Sequence, residues 1–220
     1  MGTTGDAAWL GYLETMKVRD SGMPPQTYWE TLFDVPVILD AFGFGPQTGA
    51  VAELGCGYGT FTLPLARRVG GAVHAFDIEP DMVAFTEQRV AAAGVNNVRV
   101  EMRDVLANGF GPGAGSFESV LLFNILHAES PAALLRAAAM AARPGGFVPV
   151  IHWRSDIPTP RGPPLEIRPS PEQVCEWARD VGLTPGEVIS LPPWHYGLKL
   201  QVGKRPTSPD AVLQVSRRGD

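Results

Sequence analysis

Glu53-Leu54-Gly55-Cys56-Gly57-Tyr58-Gly59-Thr60 is the stretch that decides how this chain is read. An apolar, strand-like run from Ala50 to Ala52 leads into it, and a helix-like run from Phe61 to Val69 follows. Three glycines at alternate positions clear the side chains from one turn. The backbone there can take positive φ and come close to a ligand. A strand, a glycine turn and a helix N-terminus together form a cradle for a cofactor. Glu53, just ahead of the glycines, suits a ligand with a positive group better than a pyrophosphate. The dinucleotide fingerprint G-x-G-x-x-G/A does not fit. Its sixth position is Thr60 counted from Gly55 and Thr62 counted from Gly57. A glycine-rich β-to-α turn without any ligand stays open as the plainer alternative.

Outward from this turn the chain alternates strand and helix. Strands are expected at 50–54, 72–77, 98–103, 119–123 and 146–152, mostly as apolar runs suited to burial on both faces. Pro80 opens a helix that Gly94 closes, and Ser130-Pro131 opens an alanine-rich one. Ser170-Pro171-Glu172-Gln173 reads as a capping box. The connection from 104 to 118 is rich in glycine and shows little helical pattern. Such alternation implies an α/β, doubly wound, mostly parallel sheet. Two last strands, Glu187–Leu191 and Tyr196–Val202, are joined so closely that they must pair antiparallel. Ahead of the sheet, helices are expected at 7–19 and from Tyr28 to Asp34, the second capped by Thr27 and interrupted or kinked by Pro36, with another helical piece running to Ala41. The expected organisation is a helical cap at 1–47, a cofactor-binding domain at 48–205 and a loose tail at 206–220.

With 220 residues, 45% of them apolar, the chain can bury a core without staples. Its net charge of −5 argues against a nucleic-acid partner, which needs a basic face. No run reaches the length of a membrane span. Met1 to Asp6 has no basic segment leading into an apolar core, and Cys56 and Cys175 form no disulfide framework or metal-ligand spacing. A cytoplasmic protein that binds a small molecule is expected, with no metal.

The opening stretch resembles motif I of the class I S-adenosylmethionine-dependent methyltransferases, E/D-x-G-x-G-x-G. Glu53, Gly55, Gly57 and Gly59 fill its four fixed positions. Arg143-Pro144-Gly145-Gly146 resembles the R/K-P-G-G that precedes the fifth strand in that family. The resemblance covers about residues 48–203. It implies a seven-stranded sheet of order 3-2-1-4-5-7-6 with a closing antiparallel hairpin, and S-adenosyl-L-methionine as cofactor.

Candidate site residues fall at strand ends. Asp77 ends the second strand eighteen residues after Gly59, where a carboxylate can accept from both hydroxyls of a ribose. The plainer alternative is an Asp that helps start the next helix, and the glycine turn favours the ribose. Ile78 follows, placed to lie against an adenine. The resemblance implies that Asp104 accepts from the adenine amino group and that Val105 offers its N–H to the ring. Ligands of doubly wound sheets sit where the strand order reverses, here between strands one and four. That places Asn124 to His127 opposite the glycine turn, and the resemblance implies that this strand end faces the methionine part of the cofactor and the substrate.

The resemblance implies methyl transfer to a small-molecule acceptor by in-line displacement. Catalysis of this kind is mainly proximity and orientation, with a base where the acceptor must lose a proton. His152, at the end of strand five, is ranked ahead of His127 and His195 as that base. Tyr28, Trp29, Trp153, Trp194, His195 and Tyr196 gather near the expected mouth. They can clamp a planar substrate or face a cation, or they can simply be packing. An NAD-dependent oxidoreductase and a cofactor-binding subunit without catalysis are the rival readings. Titration calorimetry separates the first rival. S-adenosylmethionine and its demethylated product should bind saturably and NAD should not; the opposite result refutes the methyltransferase reading.

Overall fold

A computed structural model describes residues 23–204 apart from Pro112. The expected helix at 7–19 and the tail from 206 lie outside the described residues. Two short helices come first, α1 (Gln26–Glu30) and α2 (Val35–Phe42). The alternating section follows as β1 (Val51–Leu54), α3 (Thr62–Arg68), β2 (Val73–Asp77), α4 (Pro80–Ala93), β3 (Val98–Met102), α5 (Val105–Asn108), β4 (Phe117–Phe123), α6 (Pro131–Ala141) and β5 (Ala142–Trp153). It closes with α7 (Pro171–Asp180), β6 (Leu183–Leu191) and β7 (His195–Val202).

The seven strands form one sheet in the order β3-β2-β1-β4-β5-β7-β6. β1 pairs parallel with β2 and β4, so the order reverses beside it, while β7 runs antiparallel between β5 and β6. This is the expected sheet. Alternation along each strand divides the core. Val120, Leu122, Val148 and Val150 face one side with α6 and α7, while Leu121, Phe123, Phe147 and Ile151 face the other with α2 and α3. Both faces are dry, which is why the strands read as near-continuous apolar runs.

Three expectations need correction. The helix expected at Tyr28–Asp34 is instead α1, ended before Asp34. Asp34 caps the next helix, accepting from the N–H of Val37 at 3.2 Å, so Pro36 sits in a first turn, where it costs no hydrogen bond and makes no kink. Within α2, Ile38, Leu39 and Phe42 are buried in the sheet's core, each such side chain contributing about 1.5–3 kcal/mol. The connection after β3 does hold a helix, the single turn of α5, capped by Asp104 through the N–H groups of Leu106 and Ala107. β6 also begins four residues earlier than expected, because Pro185 and Gly186 are absorbed by a bulge on an edge strand.

The loops entering β1 and β2 touch backbone to backbone. A Cβ on Gly71 would lie 2.2 Å from the carbonyl carbon of Gly49 and 2.5 Å from the nitrogen of Ala50. Gly71→Ala should therefore cost roughly 1–3 kcal/mol in urea unfolding. Gly45→Ala, with nothing within 4 Å of the new methyl, should stay within about 0.5 kcal/mol of the parent. Equal effects would show that this contact does not limit the fold.

Candidate active site

The glycine turn is held from both sides. Gly55, Gly57 and Gly59 all have positive φ, at 74°, 51° and 70°. The N–H groups of Gly55 and Cys56 donate to the carbonyl of Phe76, joining the turn to the end of β2. Gly57 donates its N–H to Asp77 Oδ2 at 2.9 Å, and its carbonyl accepts from the Thr86 hydroxyl of α4 at 2.7 Å. The other oxygen of Asp77 accepts from the N–H of Glu79 at 3.1 Å. A carboxylate offers about four acceptor sites, so Asp77 can fix the turn and still accept from a ligand.

A cavity of about 210 Å³ opens beyond the carboxyl ends of β1 to β4. Gly55 and Gly57 line it on one side, with Asp77 and Ile78 from the end of β2 and Asp104 and Val105 from the end of β3. Across from them stand Asn124 and His127, and Trp29 closes over from α1. Asn124 is the one non-glycine residue with positive φ among the described residues, at 56°, and its buried Oδ1 has no protein partner. Glu53 and Gly59 do not line the cavity. Glu53 lies behind the turn and accepts from the Thr62 hydroxyl at 2.6 Å. The sequence reading also missed Met23, whose sulfur sits 3.0 Å from where a Gly57 side chain would begin, and Phe123 beside Asn124. Met23 lies in a loop break without pattern, so no sequence signal marks it.

The histidines and aromatics are layered behind this cavity. His152 has no exposed surface and does not line it, which reverses the expected ranking; His127 does. Nδ1 of His127 lies 3.3 Å from Nε2 of His152, and Nδ1 of His152 lies 3.2 Å from the Trp153 carbonyl. Trp153 and His195 are buried, 4.1 Å apart by ring centroids, and Phe33 stacks on His195 at 4.7 Å. Trp29 meets Trp153 edge-on at 6.2 Å. Tyr196 is a core residue whose hydroxyl donates to the Pro169 carbonyl at 2.8 Å. Tyr28 is exposed under the guanidinium of Arg161, and Trp194 is half-buried, neither at the cavity wall. Trp29 is therefore the aromatic from the expected set that reaches the cavity.

Residues 51–146 match a sequence family described as a methyltransferase domain. Over 103 residues the chain is 34% identical to a ubiquinone biosynthesis O-methyltransferase of Xanthomonas axonopodis pv. citri, covering 46% of this chain and 41% of that protein. Over 79 residues it is 35% identical to an aklanonic acid methyltransferase of Streptomyces sp. strain C5, covering 34% of this chain and 35% of the other. The chain thus spans about two fifths or less of the length of these relatives. An S-adenosylmethionine-dependent methyltransferase from Aquifex aeolicus superposes with a TM-score of 0.72, at 24% identity over 90% of this chain and 98% of that one. Residues 51–146 thus match a methyltransferase domain, and the chain shares the fold of that solved methyltransferase.

The electrostatics of the site are set by burial. Burial pushes Glu53 up to about 8, helped by the nearby charge of Asp77 and opposed by the Thr62 hydrogen bond. Glu53 therefore holds its proton well above the usual carboxylate range. Burial first, then the charges of Glu53 and Asp77, raise the Cys56 thiol so far that it stays protonated. Burial and the Arg168 guanidinium bring His195 down to about 3 and lower His127. Arg168 is itself buried, donating to the carbonyls of Arg154, Arg161 and Pro163, and so ties the 154–168 loop to the end of β5.

Glu53 holds its proton more tightly folded than unfolded. Its contribution to stability is complete below its ordinary value of 4.5 and is lost as pH rises through about 8. The stability of the parent protein relative to Glu53→Gln should therefore fall by on the order of a few kcal/mol between pH 5 and pH 8. Urea unfolding of the pair across that range measures it. A constant difference would mean that Glu53 ionises normally.

Proposed function

We propose that this chain transfers a methyl group from S-adenosylmethionine to a small molecule, with a hydroxyl on a planar ring as the acceptor. One observation carries the proposal. The glycine turn, two strand-end carboxylates, an unpartnered buried amide oxygen and an imidazole all border a single cavity. The residues fit the cofactor. The turn leaves room only where glycines stand: at Gly57 a side chain would both strain the backbone and meet Met23. Asp77 retains acceptor sites for ribose hydroxyls, and Asp104, Val105 and Ile78 border the far end, where an adenine would lie. Asn124 Oδ1 has an unmet need for a donor, and a ligand ammonium would supply one.

When bound, S-adenosylmethionine supplies an electrophilic methyl group carried on a sulfonium. The chain's own work is to hold the acceptor in line with that methyl, to keep water out and to take a proton. His127 is the proton acceptor, since it is the one of the three expected histidines that lines the cavity. Its lowered pKa keeps it neutral at pH 7. Trp29 and Phe123 form apolar wall beside it. A ring hydroxyl is favoured as acceptor by these walls and by the likeness to a ubiquinone biosynthesis O-methyltransferase.

We also infer that the N-terminal segment caps the site. From Met23 it crosses the glycine turn, held by the Tyr58 hydroxyl on the Pro24 carbonyl at 3.0 Å and by Arg89 on Glu30 at 2.7 Å. Such a cap excludes water and completes the wall.

Two measurements test the proposal. Formation of the demethylated cofactor should be detected by mass spectrometry with 3,4-dihydroxybenzoate and related phenols as acceptors. Asp77→Ala should weaken S-adenosylmethionine by roughly 1.5–3 kcal/mol, about 10- to 150-fold, in calorimetry. Tight cofactor binding without turnover of any acceptor would favour the rival reading, a cofactor-binding subunit without catalysis. Unchanged affinity in Asp77→Ala would remove that carboxylate from the site.

A further inference from the structure

We infer that His152 is a positioning residue: it fixes the proton of His127 on Nδ1 and so leaves the Nε2 lone pair of His127 as the proton acceptor at the cavity. This rests on the methyl-transfer reading for its use, but the hydrogen-bond chain stands on geometry alone.

The chain is read from its fixed end. The Trp153 carbonyl can only accept, and it lies 3.2 Å from Nδ1 of His152, so that nitrogen carries the hydrogen. Nε2 of a neutral His152 is then a bare acceptor. It faces Nδ1 of His127 at 3.3 Å, so His127 must be the donor. A neutral His127 with its hydrogen on Nδ1 has its lone pair on Nε2, the one polar atom of the ring left for the cavity it lines. Reversing the chain would set two lone pairs against each other at the Trp153 carbonyl.

His152 must stay neutral for this to hold, and its surroundings enforce it. It has no exposed surface. His127 from the β4 end, His195 from β7 and Arg168 from the loop before α7 all disfavour a charge on it, and Tyr196 of β7, at 6.4 Å between ring centroids, spends its hydroxyl on Pro169. Burial foremost, and these neighbours, bring it down to about 3. His127 faces His152 and Arg168. No acidic side chain is among the groups that shift either imidazole. A carboxylate partner would strengthen a histidine base. A neutral imidazole partner orients the base without strengthening it.

A base that no carboxylate strengthens, and whose pKa burial and Arg168 hold below the ordinary imidazole value, matches an acceptor whose O–H is itself acidic, a phenol rather than an aliphatic alcohol. In the transfer, the phenol proton passes to Nε2 of His127. The oxygen's electron pair forms the new O–CH₃ bond, and the S–CH₃ bond breaks with its pair left on sulfur. His127 becomes an imidazolium, its Nδ1–H still donated to His152, and then loses its new proton to solvent.

The test is a tautomer measurement. The chain has four histidines, so the side-chain ¹⁵N spectrum of the labelled full-length protein is simple to assign by single substitutions. At pH 7 His127 should carry its hydrogen on Nδ1. In His152→Phe, which fills the space but offers no acceptor, His127 should revert to the Nε2–H form. In His152→Gln, whose amide oxygen can accept, the Nδ1–H form should return. With S-adenosylmethionine and 3,4-dihydroxybenzoate, His152→Phe should lose roughly 10²–10⁴-fold in kcat at unchanged cofactor affinity, and His152→Gln should recover much of it. Finding Nε2–H on His127 in the parent protein overturns the inference, whether or not the phenylalanine variant folds. So does a tautomer that is the same in all three proteins. The expected tautomers without any methyl transfer would uphold the hydrogen-bond chain and overturn the proposed function and with it the base.

Discussion

The carboxylate of Asp77 is the constraint on which the site depends. It ends β2, yet it binds the backbone of the turn after β1 through the N–H of Gly57, and the start of α4 through the N–H of Glu79. Two adjacent strands therefore deliver their loops to one place. The turn can be pinned this way only because its amides are uncovered. Side chains at Gly55 or Gly59 would meet Ile125 and Thr86 within about 3.1 Å, and positive φ excludes most residues there in any case. The same bareness that lets Asp77 reach the turn lets a ligand reach it.

Charge at this edge is managed by depth. Glu53, Cys56 and Asp77 lie close enough to act on one another, and three anions so close in a dry interior would repel strongly. Burial resolves the conflict by keeping Glu53 and Cys56 protonated. The Asp77 carboxylate accepts from two backbone N–H groups, one on each oxygen. The motif's first acid is thus a structural group, hydrogen-bonded to Thr62 at the start of α3. On the substrate side the pattern inverts. Arg168 spends its N–H groups on loop carbonyls, and its charge adds to the burial that lowers three nearby histidines.

The sheet was legible because its strands are buried on both faces and so carry unbroken apolar runs, punctuated by glycine and proline at helix ends. The order of the strands came through the resemblance, which Glu53, Gly55, Gly57, Gly59 and the Arg143–Gly146 turn carried. Of the residues expected around a cofactor, those at strand ends border one cavity, because a strand's carboxyl end has its place fixed by register. What stayed hidden depends on packing between distant segments. Nothing local in the sequence says that Pro36 opens a helix rather than bending one, since that depends on Asp34 turning back to cap it. Nothing says that Trp153 and Tyr196 go into the interior, or that Met23 crosses the glycine turn. Aromatic residues near a mouth look alike in sequence whether they clamp a ligand or fill a core.

The reversed order of the two histidines shows the same limit at finer grain. His152 lies at a strand's carboxyl end, the place where a doubly wound sheet puts its functional groups, and on that ground it ranked first. But β5 is flanked on both sides, and its alternation turns His152 toward the ring of Tyr196 and into a fully covered position. His127 stands beyond the end of β4, in a short loop before α6, where the backbone has already left the sheet at Asn124 with positive φ. Leaving the sheet there gives that ring its access to the cavity. A sheet can hold an imidazole in one orientation but covers it, and a loop can expose one but leaves its orientation free. The pair joins the two properties: the strand residue supplies the fixed orientation and the loop residue supplies the contact.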